Sequence, residues 1–394
     1  MLPQLIALTT NKDVGPNVRA SAVDLLDRFV GDDNDGAVRR AILTAAVDPV
    51  PMVRAAATRV MREDDLFEHG AKLLTDESRL VRDRATIRLS PYPRERLPRD
   101  VADKIGPALA ERIAGQQDLL DTPAANDNLG TTELNRGNFA EAIDYFRRAL
   151  KIQPQFLDAA YLLSQALERG GRGGEVEPTL RDAIKEHDRI VEALRRELPE
   201  ITSPDVKARR ERYLERSTAM GALLRFDLAL KLAENSARYD EAIETLRETL
   251  KLDPNYPRAA YNLGELLKLQ GRLDEAETQF RAAIKLDPNA HDASLRLAET
   301  LILAKKPAEA ETLLNAALNR VPEPAAVLLL ADIYIARKEW AAAEKLLNYS
   351  YERFRAPQLL AMLRGVYLSQ GKTDDVRRIE RLLQSLPRNP ARPE

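Results

Sequence analysis

Three sixteen-residue segments of this 394-residue chain align without a gap: Tyr239–Pro254, Leu273–Pro288 and Pro307–Pro322. Their closing prolines stand 34 residues apart in both steps, and Phe139–Pro154 carries the same pattern. Each segment follows another helical stretch, such as Ala259–Leu267, which ends at a turn like Gln270-Gly271-Arg272. A fixed period of this length constrains the fold more than any other feature of the sequence. One such unit cannot cover its own apolar face, so it must stack on its neighbours.

The spacing gives the packing. Leu263, Gly264 and Leu267 recur at helical distances on the first helix of a unit, and Ala276, Phe280 and Ala283 do so on the second. Gly264 and Ala276 are small enough for the two helices to approach closely, with Phe280 filling the space beneath. Pro288 ends the second helix, because it lacks an amide hydrogen and its preceding residue avoids helical geometry.

At these residues the chain resembles the tetratricopeptide repeat family, whose unit is 34 residues with this small–large–small pattern. Units are placed at about 123–156, 157–190, 223–256, 257–290, 291–323, 324–356 and 357–387. The last is worn, with Val376 and Glu380 where Ala and a bulky apolar residue are expected. Residues 1–90 read differently. Val18-Arg19-Ala20, Val53-Arg54-Ala55 and Val81-Arg82-Asp83-Arg84-Ala85 each open an amphipathic helix, and the pattern resembles HEAT repeats. That resemblance implies that the arginines bond along the ridge between units. The predicted architecture is therefore all-α, a right-handed helical-repeat solenoid in which HEAT-like repeats (1–90) precede a tetratricopeptide superhelix (123–387). A proline-containing linker and connecting helix (91–122) joins them, and 388–394 is a tail.

Units beginning at 157 and 223 leave 32 extra residues between them. Ile184, Val191, Leu194 and Leu198 form one helical stripe, and Val206, Tyr213, Met220 and Leu224 another. The expected structure is a projecting antiparallel hairpin at about 184–222, with its tip at Pro199–Pro204.

Catalytic and metal chemistry find little to stand on. His69, His187 and His291 are far apart with no partner at a metal-ligand spacing, and they read as surface or groove histidines. Zero cysteines exclude disulfides, thiolate metal sites and cysteine nucleophiles. Gly371-Lys372-Thr373 lacks the upstream glycine of a phosphate loop, with Val366 in its place, and Trp340 occupies a core position. The chain is read as a non-enzyme without cofactor or metal. With 60 basic against 62 acidic residues, and 18 against 20 within 1–122, charge gives no case for nucleic acid. No apolar run long enough to span a bilayer occurs.

The remaining candidate is the face of each first helix that packing does not use, at unit positions 2, 5, 9 and 12. In one unit these are Arg258, Tyr261, Glu265 and Lys268, with Asn262 beside them. Asp227 and Lys231 lie on one side and Asp292, Arg296 and Glu299 on the other. The family resemblance implies that this face lines a concave groove for protein or peptide segments, and that Asn262 holds a peptide backbone. The lysine that the family's carboxylate clamp needs at the Tyr261 position occurs in no unit. The expected function is a protein-interaction scaffold. A second resemblance, carried by Asp48–Met61, Asp76–Leu89 and Leu129–Pro154, is to the region after the heme domain in some bacterial multiheme c-type cytochromes. It implies an assembly or docking role beside a multiheme cytochrome domain, outside the cytoplasm. With no signal peptide at Met1, the chain as it stands reads as cytoplasmic.

Overall fold

The computed structural model describes residues 2–31, 33, 36–117 and 119–385, so the expected tail at 388–394 lies outside the described residues. Every regular element among them is helical. None of these helices is long and apolar enough to cross a membrane. The chain divides into two compact units, Met1–Glu186 and His187–Glu394.

The first unit opens with α1 (Leu2–Thr10), α2 (Pro16–Leu26), α3 (Ala37–Ala45), α4 (Pro51–Val60), α5 (Glu63–Leu73), α6 (Arg79–Leu89) and α7 (Arg99–Gln117). Here α2 packs on α4 and α4 on α6, while α1 packs on α3 and α5 packs on α6 and α7. Val23, Val53, Leu66, Val81, Leu89 and Val101 sit at the centre of the core. An arginine ladder ties successive helical segments together. Arg19 donates to Asp48, Arg54 to Asp76 and Arg82 to Glu111, and each arginine also bonds carbonyls of the turn before its own helix. The helical pair α8 (Pro123–Arg136) and α9 (Phe139–Ile152) follows, then α10 (Leu157–Arg169). From there α11 (Val176–Glu197) runs across the junction of the two units.

The second unit continues with α12 (Pro204–Ala233), α13 (Tyr239–Leu252), α14 (Pro257–Leu269), α15 (Leu273–Leu286), α16 (His291–Leu303), α17 (Pro307–Arg320), α18 (Pro324–Ala336), α19 (Trp340–Phe354), α20 (Pro357–Ser369) and α21 (Thr373–Ser385). Each packs on the next from α12 to α21. Proline often stands at the first helical position, where its missing N–H costs nothing. The residues before Pro154, Pro254, Pro288 and Pro322 are all extended, with φ of −138, −131, −129 and −135°, which stops the second helix of each pair. Most turns within a pair use a left-handed residue. Gly137, Gly271 and Gly371 supply it, whereas Lys305 and Lys338 adopt φ of 61 and 60° at the matching turns.

Burial sets the register. On α14 the inward residues are Ala259, Ala260, Leu263, Gly264, Leu266 and Leu267. On α12 Leu224, Arg225, Leu228, Ala229 and Leu232 keep that pattern at an offset of 35, not 34, because the turn at Ser236–Arg238 holds one more residue. Between α11 and α12, Val191, Leu194 and Leu224 are buried as their stripes predict, but Val206 and Tyr213 are exposed. Around Ser217 and Gly221 the packing face of α12 is small instead of bulky, because it receives His187. That histidine is only 1% exposed, so its reading as a surface or groove residue is corrected. A Cβ on Gly221 would lie 2.1 Å from its Nε2. Buried Arg225 reaches the His187 ring at 3.2 Å and grips Asp188 through both carboxylate oxygens. Burial holds the imidazole pKa below its usual value, against the pull of Asp188.

Candidate binding groove

The connection from α15 to α16 leaves a depression of about 570 Å³ against the first turns of α14. Pro257, Arg258, Tyr261 and Asn262 form one wall, Asp287, Asn289 and Ala290 the connection, and His291, Asp292 and Ala293 the other wall. Four of the ten groove residues expected from sequence therefore line one cavity: Arg258, Tyr261, Asn262 and Asp292. Sequence spacing missed Asp287 and Asn289, and it read His291 as a surface or groove histidine without placing it in this cavity. Their signal was available, since the 34-residue period places every such connection at the mouth of the groove.

Each lining side chain is held by its own chemistry. The Arg258 guanidinium is exposed and lies 5.1 Å from the centroid of the buried Phe226 ring, a cation–π contact. It pairs with no carboxylate among the described residues. Tyr261 meets Phe280 edge-on, with centroids 5.9 Å apart, and packs beside Ala260, Ala283 and Ala293. Asn262 Nδ2 donates to the Arg258 carbonyl at 2.8 Å. Asp287 accepts from the Asn289 amide, which shapes the connection.

Next to this opening, Glu265, Lys268, Arg296 and Glu299 close on one another. Lys268 Nζ lies 3.0 Å from Glu265 and 2.9 Å from Glu299, and Arg296 donates to both Glu299 oxygens at 2.9 Å. Hydrogen bonding to Glu299, and then to Tyr261, raises the Arg296 pKa. Burial alone would push Glu299 up, but bonds from Lys268 and Arg296 outweigh it and hold the carboxyl below its usual range. These cations are committed within the protein. They brace α14 against α16, leaving Arg258 as the groove cation with no internal carboxylate among Arg258, Lys268 and Arg296. Asp227 and Lys231 lie outside this cavity on α12, where the offset of 35 gives Asp227 the register of Asn262 and Phe226 that of Tyr261.

In the first unit, Asp127 on α8 and Asp158 on α10 hold the registers of Tyr261 and Asp292. Burial, and then the Asp158 charge, pushes the Asp127 carboxyl up to about 6, and its Oδ1 is buried without a hydrogen-bond partner. The folded state therefore binds the proton more tightly than the unfolded chain, whose aspartate titrates near 3.8. Stability from that proton is present below 3.8 and is lost as pH rises through 6. At neutral pH the charge is destabilising. We expect Asp127→Asn to raise the melting temperature at pH 7.5, with the gain shrinking steadily down to pH 4. A gain independent of pH would contradict this account.

Comparisons with known proteins agree with the period. Family models described as tetratricopeptide repeat match residues 128–156, 228–291 and 269–327. No curated protein matches the chain. Among solved structures, it is similar to YrrB, described as a TPR protein with an unusual peptide-binding site. That match has 17% identity and a TM-score of 0.41, and covers 58% of this chain and 97% of that one. It is also similar to MamA from Desulfovibrio magneticus RS-1, at 20% identity and a TM-score of 0.38, over 42% of this chain and 94% of that one. Another MamA structure matches at 18% identity and a TM-score of 0.36, over 50% and 95%. Residues 128–156 and 228–327 are tetratricopeptide repeats, in a chain whose regular elements among the described residues are all helical.

Proposed function

We propose that the chain is a non-catalytic protein-interaction scaffold that takes a partner segment in the cavity between α14 and α16. The observation that supports this reading is the cavity itself. It is preformed, it joins an aromatic wall to alanines, and its Arg258 lacks an internal carboxylate. A preformed surface loses little ordering entropy on binding. The segment that fits carries one carboxylate for Arg258 and an aliphatic side chain for the Tyr261–Ala283–Ala293 surface. Its backbone N–H groups can reach the Asn262 oxygen, whose amide nitrogen is occupied. Asp287 and Asp292 at the mouth disfavour a purely acidic tail. The same scaffold reading takes residues 1–90 as HEAT-like repeats, with the arginine ladder as its support.

The test is a peptide-display selection on the intact chain, followed by calorimetry of the enriched peptides. Arg258→Ala with Asn262→Ala removes one exposed inter-helix contact, the cation–π contact of Arg258 with Phe226, so the melting temperature should fall only slightly while affinity falls at least about tenfold. Enrichment of the same peptides with equal affinity on that variant would remove the site from this cavity.

A further inference from the structure

Within the first unit, α2, α4 and α6 keep a common register, with Arg19, Arg54 and Arg82 each at the fourth helical position. On α4, Val53, Ala56 and Val60 at positions three, six and ten are all buried. Arg88, at position ten of α6, donates to carbonyls at the end of α4, so this stripe looks toward the preceding repeat. The twin stripe on α2 is Val18, Ser21 and Leu25. Val18 is 46% and Leu25 43% exposed, against 0 and 3% for Val53 and Val60. The outward face of α2 is thus aliphatic and exposed in the register where α4 is buried.

Charge says what covers it. The stripe continues to Arg28, three residues beyond Leu25, and Asp13 stands in the turn at its other end. Both are exposed, and among the described residues neither makes an ion pair. Asp13 is the register twin of Asp48 and Asp76, six residues before the ladder arginine, and each of those accepts an arginine from the repeat before it. An acid at the start of the stripe and a base at its end make the face self-complementary under a two-fold axis. With the axis near Ser21 and two α2 helices antiparallel, Val18 meets Leu25 of the second copy and Asp13 comes within reach of Arg28 of the second copy. The small Ser21 lets the helices close at the centre.

We propose that the exposed face of α2 is a homodimer contact, with the second copy as its occupant, independent of the groove. Sedimentation velocity over a wide concentration range should show a reversible monomer–dimer equilibrium. Leu25→Arg, at an exposed site, should leave helicity and melting temperature unchanged while weakening association at least about tenfold. Asp13→Arg should weaken it as well, and Asp13→Arg combined with Arg28→Asp should restore it, because the swap re-forms the pair only across copies. A monomer at every concentration, a dimer indifferent to Leu25→Arg, or a double swap that fails to restore association would overturn the proposal.

Discussion

Phe280→Ala is expected to destabilise the second unit by about 4 kcal/mol, the cost of truncating a fully buried ring whose site relaxes only in part. Phe280 is 0% exposed, and a Cβ on Gly264 would sit 2.8 Å from its ring. Other pairs share this arithmetic. At the two matching registers stand Gly130 with Phe146, Ser164 with Leu180, Ala229 with Leu246, Ala298 with Leu314 and Ala331 with Leu347. Glycine goes with phenylalanine and a slightly larger residue with leucine, so the summed volume under each helix pair is conserved. In the worn last unit, Arg364 and Glu380 take these registers and form an ion pair at 2.9 Å near solvent. A double-mutant cycle separates volume from hydrophobicity. Gly264→Ala alone should cost about 1–3 kcal/mol by overpacking, and much less in a Phe280→Leu background, which recreates the Ala–Leu pair. Additive costs measured by denaturant unfolding would show that the two registers do not share one space. Tyr261 rests its edge on Phe280, so Phe280→Ala should also loosen the groove wall.

The helical pairs were legible because each is local: period, small residue, large residue and closing proline all fall within 34 positions. Arg258, Tyr261, Asn262 and Asp292 were legible for the same reason, as a helix face left over after packing. What sequence could not give were quantities fixed by residues in other helices. The shift of Asp227 and Phe226 on α12 depends on one extra turn residue, Ala237 or a neighbour, hidden behind an insertion. The burial of His187 depends on Gly221, 34 positions away, whose missing side chain leaves room for an imidazole. The commitment of Lys268 and Arg296 depends on where Glu299 points, so counting cations along the groove overstated the charge it offers a ligand. The Val-Arg spacing located the ladder arginines, but their acceptors, Asp48, Asp76 and Glu111, become visible only once the helices are stacked.

Arg54→Met is expected to cost the first unit about 3 kcal/mol, and the larger part of that loss comes from what it leaves behind. Arg54 donates to Asp76 through Nε at 2.9 Å and Nη2 at 2.8 Å, and through Nη1 to the carbonyls of Asp48 and Pro49. Arg54 is buried and Asp76 half-buried, with side chains 9 and 13% exposed, so water replaces the guanidinium poorly. Burial alone would raise the Asp76 carboxyl; the Arg54 bonds and the Ser78 amide reverse this and hold it below its usual range. Its pairing therefore stabilises the fold above pH 3.8 and is lost as pH falls through the depressed folded value. Without Arg54 the balance turns. Burial then dominates, the Asp76 pKa rises, and the variant's deficit should narrow as the solution is acidified from pH 7 to pH 4. Arg54→Met with Asp76→Asn should recover most of the loss at neutral pH, because no buried charge is left unpaired. The remaining deficit measures the two orphaned carbonyls. Thermal melts of the wild type, the single variant and the double variant at both pH values decide it: a deficit that stays constant with pH, or one the second substitution fails to relieve, would locate the arginine's contribution in its packing along α4 and not in the charge it neutralises.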